Sequence, residues 1–130
     1  MTVISTMEQI QTELKEIQTN LEVEMSEDVN EAIYRGNKLA VQMARSGKLL
    51  ADAKIHRDRK LTSSVVLELK KIVDLPASTA NKYVDALCFD ENYIVNWCER
   101  VNRSCTHQIE WCRTVISKAK AEMSAFNQTP

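Results

Sequence analysis

From Ile94 to Ala119 the chain places apolar or small residues in steps of four and three: Ile94, Cys98, Val101, Cys105, Gln108, Cys112, Val115 and Ala119. Alternation of this kind keeps one narrow stripe of an α-helix facing a neighbour, so it predicts a long helix pressed along a second one. Cys98, Cys105 and Cys112 recur at seven-residue spacing within the stripe. Seven residues at about 1.5 Å rise separate neighbouring thiols by roughly 10 Å. A zinc ion needs its sulfur ligands about 2.3 Å away, and bridged cysteines need Cα atoms within about 7 Å. No two of the three share a metal or a disulfide on one helix. They read as small seam residues that permit close approach. Gln108 is the polar member of the stripe, suited to setting register by a hydrogen bond across the contact.

What must pack against this helix is helical too. The 130 residues include two glycines and two prolines, one of them Pro130, and 44% are hydrophobic. So few breakers in a chain of that hydrophobicity predict an all-α domain. No apolar run approaches the roughly 18 residues of a membrane span, the start lacks the long apolar core of a signal peptide, and Cys88 falls off the repeat. Four cysteines without a disulfide framework suit a reducing cytoplasm.

Four segments follow from the pattern. Residues 1–25 form an amphipathic helix with Val3, Met7, Ile10, Leu14, Ile17 and Leu21 in four-three steps. Self-association through this face and packing within the chain are both open. Residues 26–73 form a long helix that Ser26 caps with Glu27 and Asp28 behind it. Its inward face reads Val29, Ile33, Gly36, Ala40, Met43, Gly47 and Leu50. Glycine costs a helix about 1 kcal/mol relative to alanine, so two glycines here point to close backbone contact or a bend. Close contact pairs Gly36, Ala40 and Gly47 with Cys98, Cys105 and Cys112 across an antiparallel seam. The pattern weakens over His56–Ser64, where a kink is expected. Pro76 ends the long helix, 76–88 form a short one, and Asp90 caps the last, 90–125. The expected architecture is an elongated antiparallel helical hairpin or bundle in one domain.

Charge is uneven along the chain although the net is −1. Residues 1–34 are acidic, with Lys15 the one base, whereas 35–60 carry eight bases against Asp52 and Asp58. The basic stretch either contacts a polyanion or pairs with an acidic N-terminal segment of a neighbouring copy. Its densest part, Lys54, Arg57, Arg59 and Lys60, suits salt-sensitive phosphate binding. No aromatic lies between Arg35 and Lys71, so base stacking from this segment has no support. Glycine-rich phosphate loops, nucleophile elbows and HExxH motifs are absent from the sequence. His107 and Glu110 form an H-x-x-E pair, yet the seam beside them offers thiols and Gln108 where a di-metal bundle needs further carboxylates. Cys98 lies two turns inside its helix, away from the N-terminal dipole that would activate a thiolate. The chain thus reads as no enzyme, with no metal and no cofactor.

The order of parts carries a resemblance. A long alanine-rich helix passes into Leu49-Leu-Ala-Asp-Ala-Lys-Ile-His-Arg-Asp-Arg-Lys60, and the terminal helix ends in Arg113-Thr-Val-Ile-Ser-Lys-Ala-Lys-Ala-Glu122. Over roughly residues 26–123 this is similar to small helical phage and prophage proteins that resemble the recombination mediators of T-even bacteriophages. The resemblance implies a ring-forming protein that binds single-stranded DNA through Lys54, Arg57, Arg59 and Lys60. It also implies a recombinase or a single-strand-binding protein as partner. The alternative is a structural or adaptor bundle that self-assembles and binds no nucleic acid.

Overall fold

The computed structural model describes residues 3–127; Met1, Thr2 and 128–130 lie outside them. Four helices account for nearly all of it: α1 (Met7–Leu21), α2 (Val29–Val73), α3 (Ala77–Leu87) and α4 (Phe89–Asn127). This is the all-α architecture of long second and last helices.

α2 and α4 run antiparallel. A Cβ placed on Gly36 would meet Cys112 Cβ at 3.5 Å, and one long step further on Asn102 Nδ2 donates to the Met43 carbonyl (3.1 Å) and to Ser46 Oγ (2.9 Å). The stripe of α4 is buried along its length: Ile94, Cys98, Val101, Cys105, Cys112 and Val115. Opposite it α2 buries Ala32, Leu39, Ser46, Leu49, Asp52 and Ala53. Seven-residue spacing of Ala32, Leu39, Ser46 and Ala53 is the seam geometry expected of antiparallel rods.

The inward face of α2 differs from the one the sequence suggests. Ile33 and Ala40 are exposed, and a Cβ on Gly47 would meet nothing within 4 Å. Only Gly36 of the three small residues faces the thiols, and even there an added Cβ would make an ordinary contact. The physical reason is that Arg35, Ser46 and Asp52 sit on the inner side, held by directed bonds, and so disguise it as polar. Small residues fill the opposite side.

α1 lies in the groove between the other two, burying Ile10, Leu14, Ile17 and Leu21. Its contacts with α2 descend in number, from Ser5–Asp52 through Glu13–Arg45 to Asn20–Gln42, so it runs antiparallel to α2. It runs parallel to α4, with Gln18 at Trp97 and Leu21 at Gln108. The apolar face of α1 is therefore covered inside the chain and is no free element for self-association. Val3, the first residue of the sequence pattern, stands outside the helix and is exposed.

Caps fix the ends. Thr6 and Gln9 form a reciprocal capping box on α1. Asp28, not Ser26, caps α2 by accepting from the Glu31 N–H; the Ser26 hydroxyl accepts from the Asp28 N–H one step earlier. α2 continues unbroken across His56–Ser64, a stretch with no proline or glycine to break it, and beyond it the Tyr83 hydroxyl of α3 donates to Glu68 (3.0 Å). α3 and α4 meet with only Cys88 between them. Its Sγ lies 3.8 Å from the Val84 and Asp85 carbonyls, and α4 begins at Phe89, with Asp90 inside the first turn.

Candidate functional site

α2 is long enough to be three things at once. One side makes the bundle with α1 and α4. A second, beyond Ala53, carries α3. A third faces outward along its whole length. At about 100° per residue, a series 4-3-4-3-4 spans eighteen residues and five turns, returning to the same angle. Asn37, Val41, Ala44, Lys48, Ala51 and Ile55 form one such series; Ile55, Arg59, Thr62, Val66, Leu69 and Val73 form the next. Every member is exposed except Ile55, which is half-buried, and Val41, Val66 and Val73 remain 65%, 69% and 71% exposed. A groove of about 710 Å³ lies along the second series, lined by Ile55, Asp58, Arg59, Thr62, Val66 and Leu67.

The basic cluster straddles two of these sides. Lys54, Arg57 and Lys60 fall at three-residue steps, each turned about 60° from the last, so Lys54 and Lys60 stand about 120° apart; Arg59 stands about 140° from Lys54, within the outward stripe. Lys54, Arg59 and Lys60 are exposed. Arg57 is half-buried and its Nε donates to Asp58 at 3.2 Å, which takes part of its charge. Arg45 and Lys48 are committed within the chain: Arg45 forms a two-pronged pair with Glu13 at 2.7 and 2.8 Å, and that hydrogen bond holds its guanidinium above its ordinary value. Lys48 donates to both Asp52 oxygens at 2.6 Å and to the Val3 carbonyl at 3.0 Å.

Asp52 is a functional-looking residue with a structural occupation. It is buried, and it gathers Lys48 and the Ser5 N–H (2.9 Å), while His56 Nε2 meets the Ser5 carbonyl at 2.7 Å. Burial pushes its carboxyl up, but Lys48 and Ser5 together outweigh that and leave it below the usual carboxylate value. Three residues of α2 thus clasp the segment before α1.

The thiols are interior. Cys88, Cys98, Cys105 and Cys112 are all free and buried. Burial pushes Cys98 up to about 11 and raises Cys105 and Cys112 as well, so each is held as the neutral thiol at neutral pH. His107 and Glu110 approach at 4.0 Å on the exposed side of α4. Among the described residues no three His, Cys, Asp or Glu side chains are grouped to hold a metal ion. Among the described residues no helix is long and apolar enough to cross a membrane.

A cavity of about 330 Å³ opens where the α1–α2 turn crosses the start of α2, lined by Val23, Met25, Ala32, Arg35, Lys38 and Cys112 among others. Arg35 enters its wall and donates to the Val23 carbonyl (2.9 Å) and to Gln108 Oε1 (2.7 Å), while its buried Nε has no partner. Sequence reasoning missed the outward stripe of α2. The signal was present as Val41, Ile55, Val66, Leu69 and Val73, hidden by the small residues and charges between them. No family model, no curated protein and no solved structure matches the chain.

Proposed function

We propose that the protein is a non-enzymatic helical accessory protein that works through its surface, as a self-assembling scaffold or adaptor module. One observation carries this: besides the face covered within the chain, α2 exposes a stripe in which Val41, Ala44, Ala51, Val66, Leu69 and Val73 are apolar, broken by Asn37, Lys48, Arg59 and Thr62. Exposed apolar patches rimmed by polar residues mark interaction surfaces in monomeric proteins. The distal hairpin adds weight, since the buried residues of α2 end at Ala53 and α3 has none, leaving residues 61–87 without an interior of their own. Buried, reduced thiols with raised pKa values fit a reducing compartment such as the cytoplasm and argue against thiolate chemistry. Light scattering on a size-exclusion column is the test. A species heavier than 14.8 kDa at micromolar concentration is expected, and a monomer persisting at about 100 µM would remove the reading.

A second reading is favoured by the row Lys54, Arg57 and Lys60: a phage-type recombination mediator that binds single-stranded DNA and works with a recombinase or a single-strand-binding protein. These three neighbouring cations, Arg57 shared with Asp58, could neutralise up to about three phosphates, predicting a log–log salt slope no steeper than about −2 for a single strand. Fluorescence anisotropy with a labelled oligonucleotide at low salt decides it; no binding at tens of micromolar protein rejects it.

A further inference from the structure

We infer that the outward face of α2 is covered by the same face of a second copy, antiparallel, with the two-fold axis at Ile55. This rests on the assembly reading and specifies its interface. The stripe consists of two equal halves around Ile55, each with the steps 4-3-4-3-4. Turning the helix end over end about Ile55 therefore lays the stripe on itself, with Val41 opposite Leu69, Ala44 opposite Val66, Lys48 opposite Thr62 and Ala51 opposite Arg59.

The two halves differ in bulk in the sense that such a pairing needs. The first half is slim, with Ala44 and Ala51 in line and Ala40 and Gly47 beside them; the second is bulky, with Val66, Leu69 and Val73 in line and Leu67 beside them. An antiparallel pair seats each bulky half on a slim one, which allows uniform axial separation and close packing. A parallel pair would set bulk on bulk at one end and leave a wedge-shaped gap at the other. The slim half also has space to be filled, since nothing within the chain lies within 4 Å of a Cβ on Gly47.

The available area suffices. The stripe from Asn37 to Val73 is about 54 Å long and a helix is about 10 Å wide, giving on the order of 500 Å² per copy and 1,000 Å² in total, the lower bound for a specific interface. α1 touches Arg45, the segment before α1 touches Asp52 and, within the stripe, Lys48, and α3 touches Glu68; the other members of the stripe stay exposed, with Ile55 half-buried.

Cysteine cross-linking tests the register, because the native thiols are buried. Ile55→Cys is expected to form a disulfide-linked dimer under mild oxidation. A mixture of Ala44→Cys and Val66→Cys chains is expected to link as well, whereas Val66→Cys alone should not, because its two copies lie about 33 Å apart along the axis. Independently, Val66→Asp with Leu69→Asp should halve the sedimenting mass at unchanged helicity, both residues being exposed in the single chain. An oligomer indifferent to those aspartates, or one in which Val66→Cys links as readily as Ile55→Cys, overturns this interface and leaves assembly standing. A monomeric wild type overturns both.

Discussion

Replacing Asp52 with asparagine tests whether the clasp on the N-terminal segment is a charge effect. The substitution keeps the shape and one acceptor for the Ser5 N–H, and removes the charge that Lys48 and Ser5 meet. A hydrogen bond to a charged acceptor contributes about 1.5–3 kcal/mol and a neutral one about 1, so the Ser5 bond alone loses about 1 kcal/mol. Lys48 is 41% exposed, and an ion pair that solvent screens adds about 0.5 kcal/mol. The expected loss is about 1.5 kcal/mol at pH 7. At about 2.1 cal/mol/K of unfolding entropy per residue, this lowers the melting temperature by about 5 °C. The sign with pH follows from the lowered carboxyl. The unfolded chain takes up the proton first, near 3.8, so the wild-type advantage is full above that value and disappears as pH falls through the lower folded value. Thermal melts by circular dichroism at pH 7, 5 and 3 should show the gap between wild type and Asp52→Asn closing only at the lowest pH. A gap of the same size at pH 3, or none at pH 7, would refute the reasoning.

Other outcomes follow from burial and geometry. Leu39→Ala, at a fully buried position, should cost about 2–5 kcal/mol in urea unfolding, whereas Lys54→Gln should stay within about 0.5 kcal/mol of wild type. Gly36→Ala should gain about 0.5–1 kcal/mol, because the new Cβ meets Cys112 at an ordinary 3.5 Å and the helix loses a flexible residue; a loss would mean the seam is tighter than it is here. Native alkylation of the four thiols should be slow and become fast only in denaturant. Since burial holds Cys98 near 11 against an ordinary 9.0, stability should be full below pH 9 and decline between about 9 and 11, and Cys98→Ala should flatten that decline in an alkaline denaturation series.

Periodicity made α4 legible, because the apolar members of its stripe are buried from Ile94 to Val115 in unbroken four-three steps. The same rule misplaced the core of α2. Ala40 and Gly47 looked like interior because they are small, and Arg35, Ser46 and Asp52 looked like surface because they are polar. Tertiary partners reverse that, Gln108 for Arg35, Asn102 for Ser46 and Ser5 for Asp52, with the Met43 carbonyl and Lys48 adding bonds from within α2. The expected kink at His56–Ser64 is absent for another reason: charges and hydroxyls there blur the amphipathic pattern, but no proline or glycine interrupts the backbone. The basic cluster was visible as composition, yet its division between two flanks depends on angle, which composition does not carry.

Gln108 has a mechanical consequence. Its oxygen accepts from Arg35 on α2 and its nitrogen donates to the Leu21 carbonyl at the end of α1, at 2.7 and 2.8 Å. Thiols, valines and alanines alone would let three rods glide past one another at little cost. Displacing α4 by a single residue, about 1.5 Å, strains both bonds of that one carboxamide together. The sulfur-lined rail supplies cohesion, and this amide, together with that of Asn102, acts as the brake.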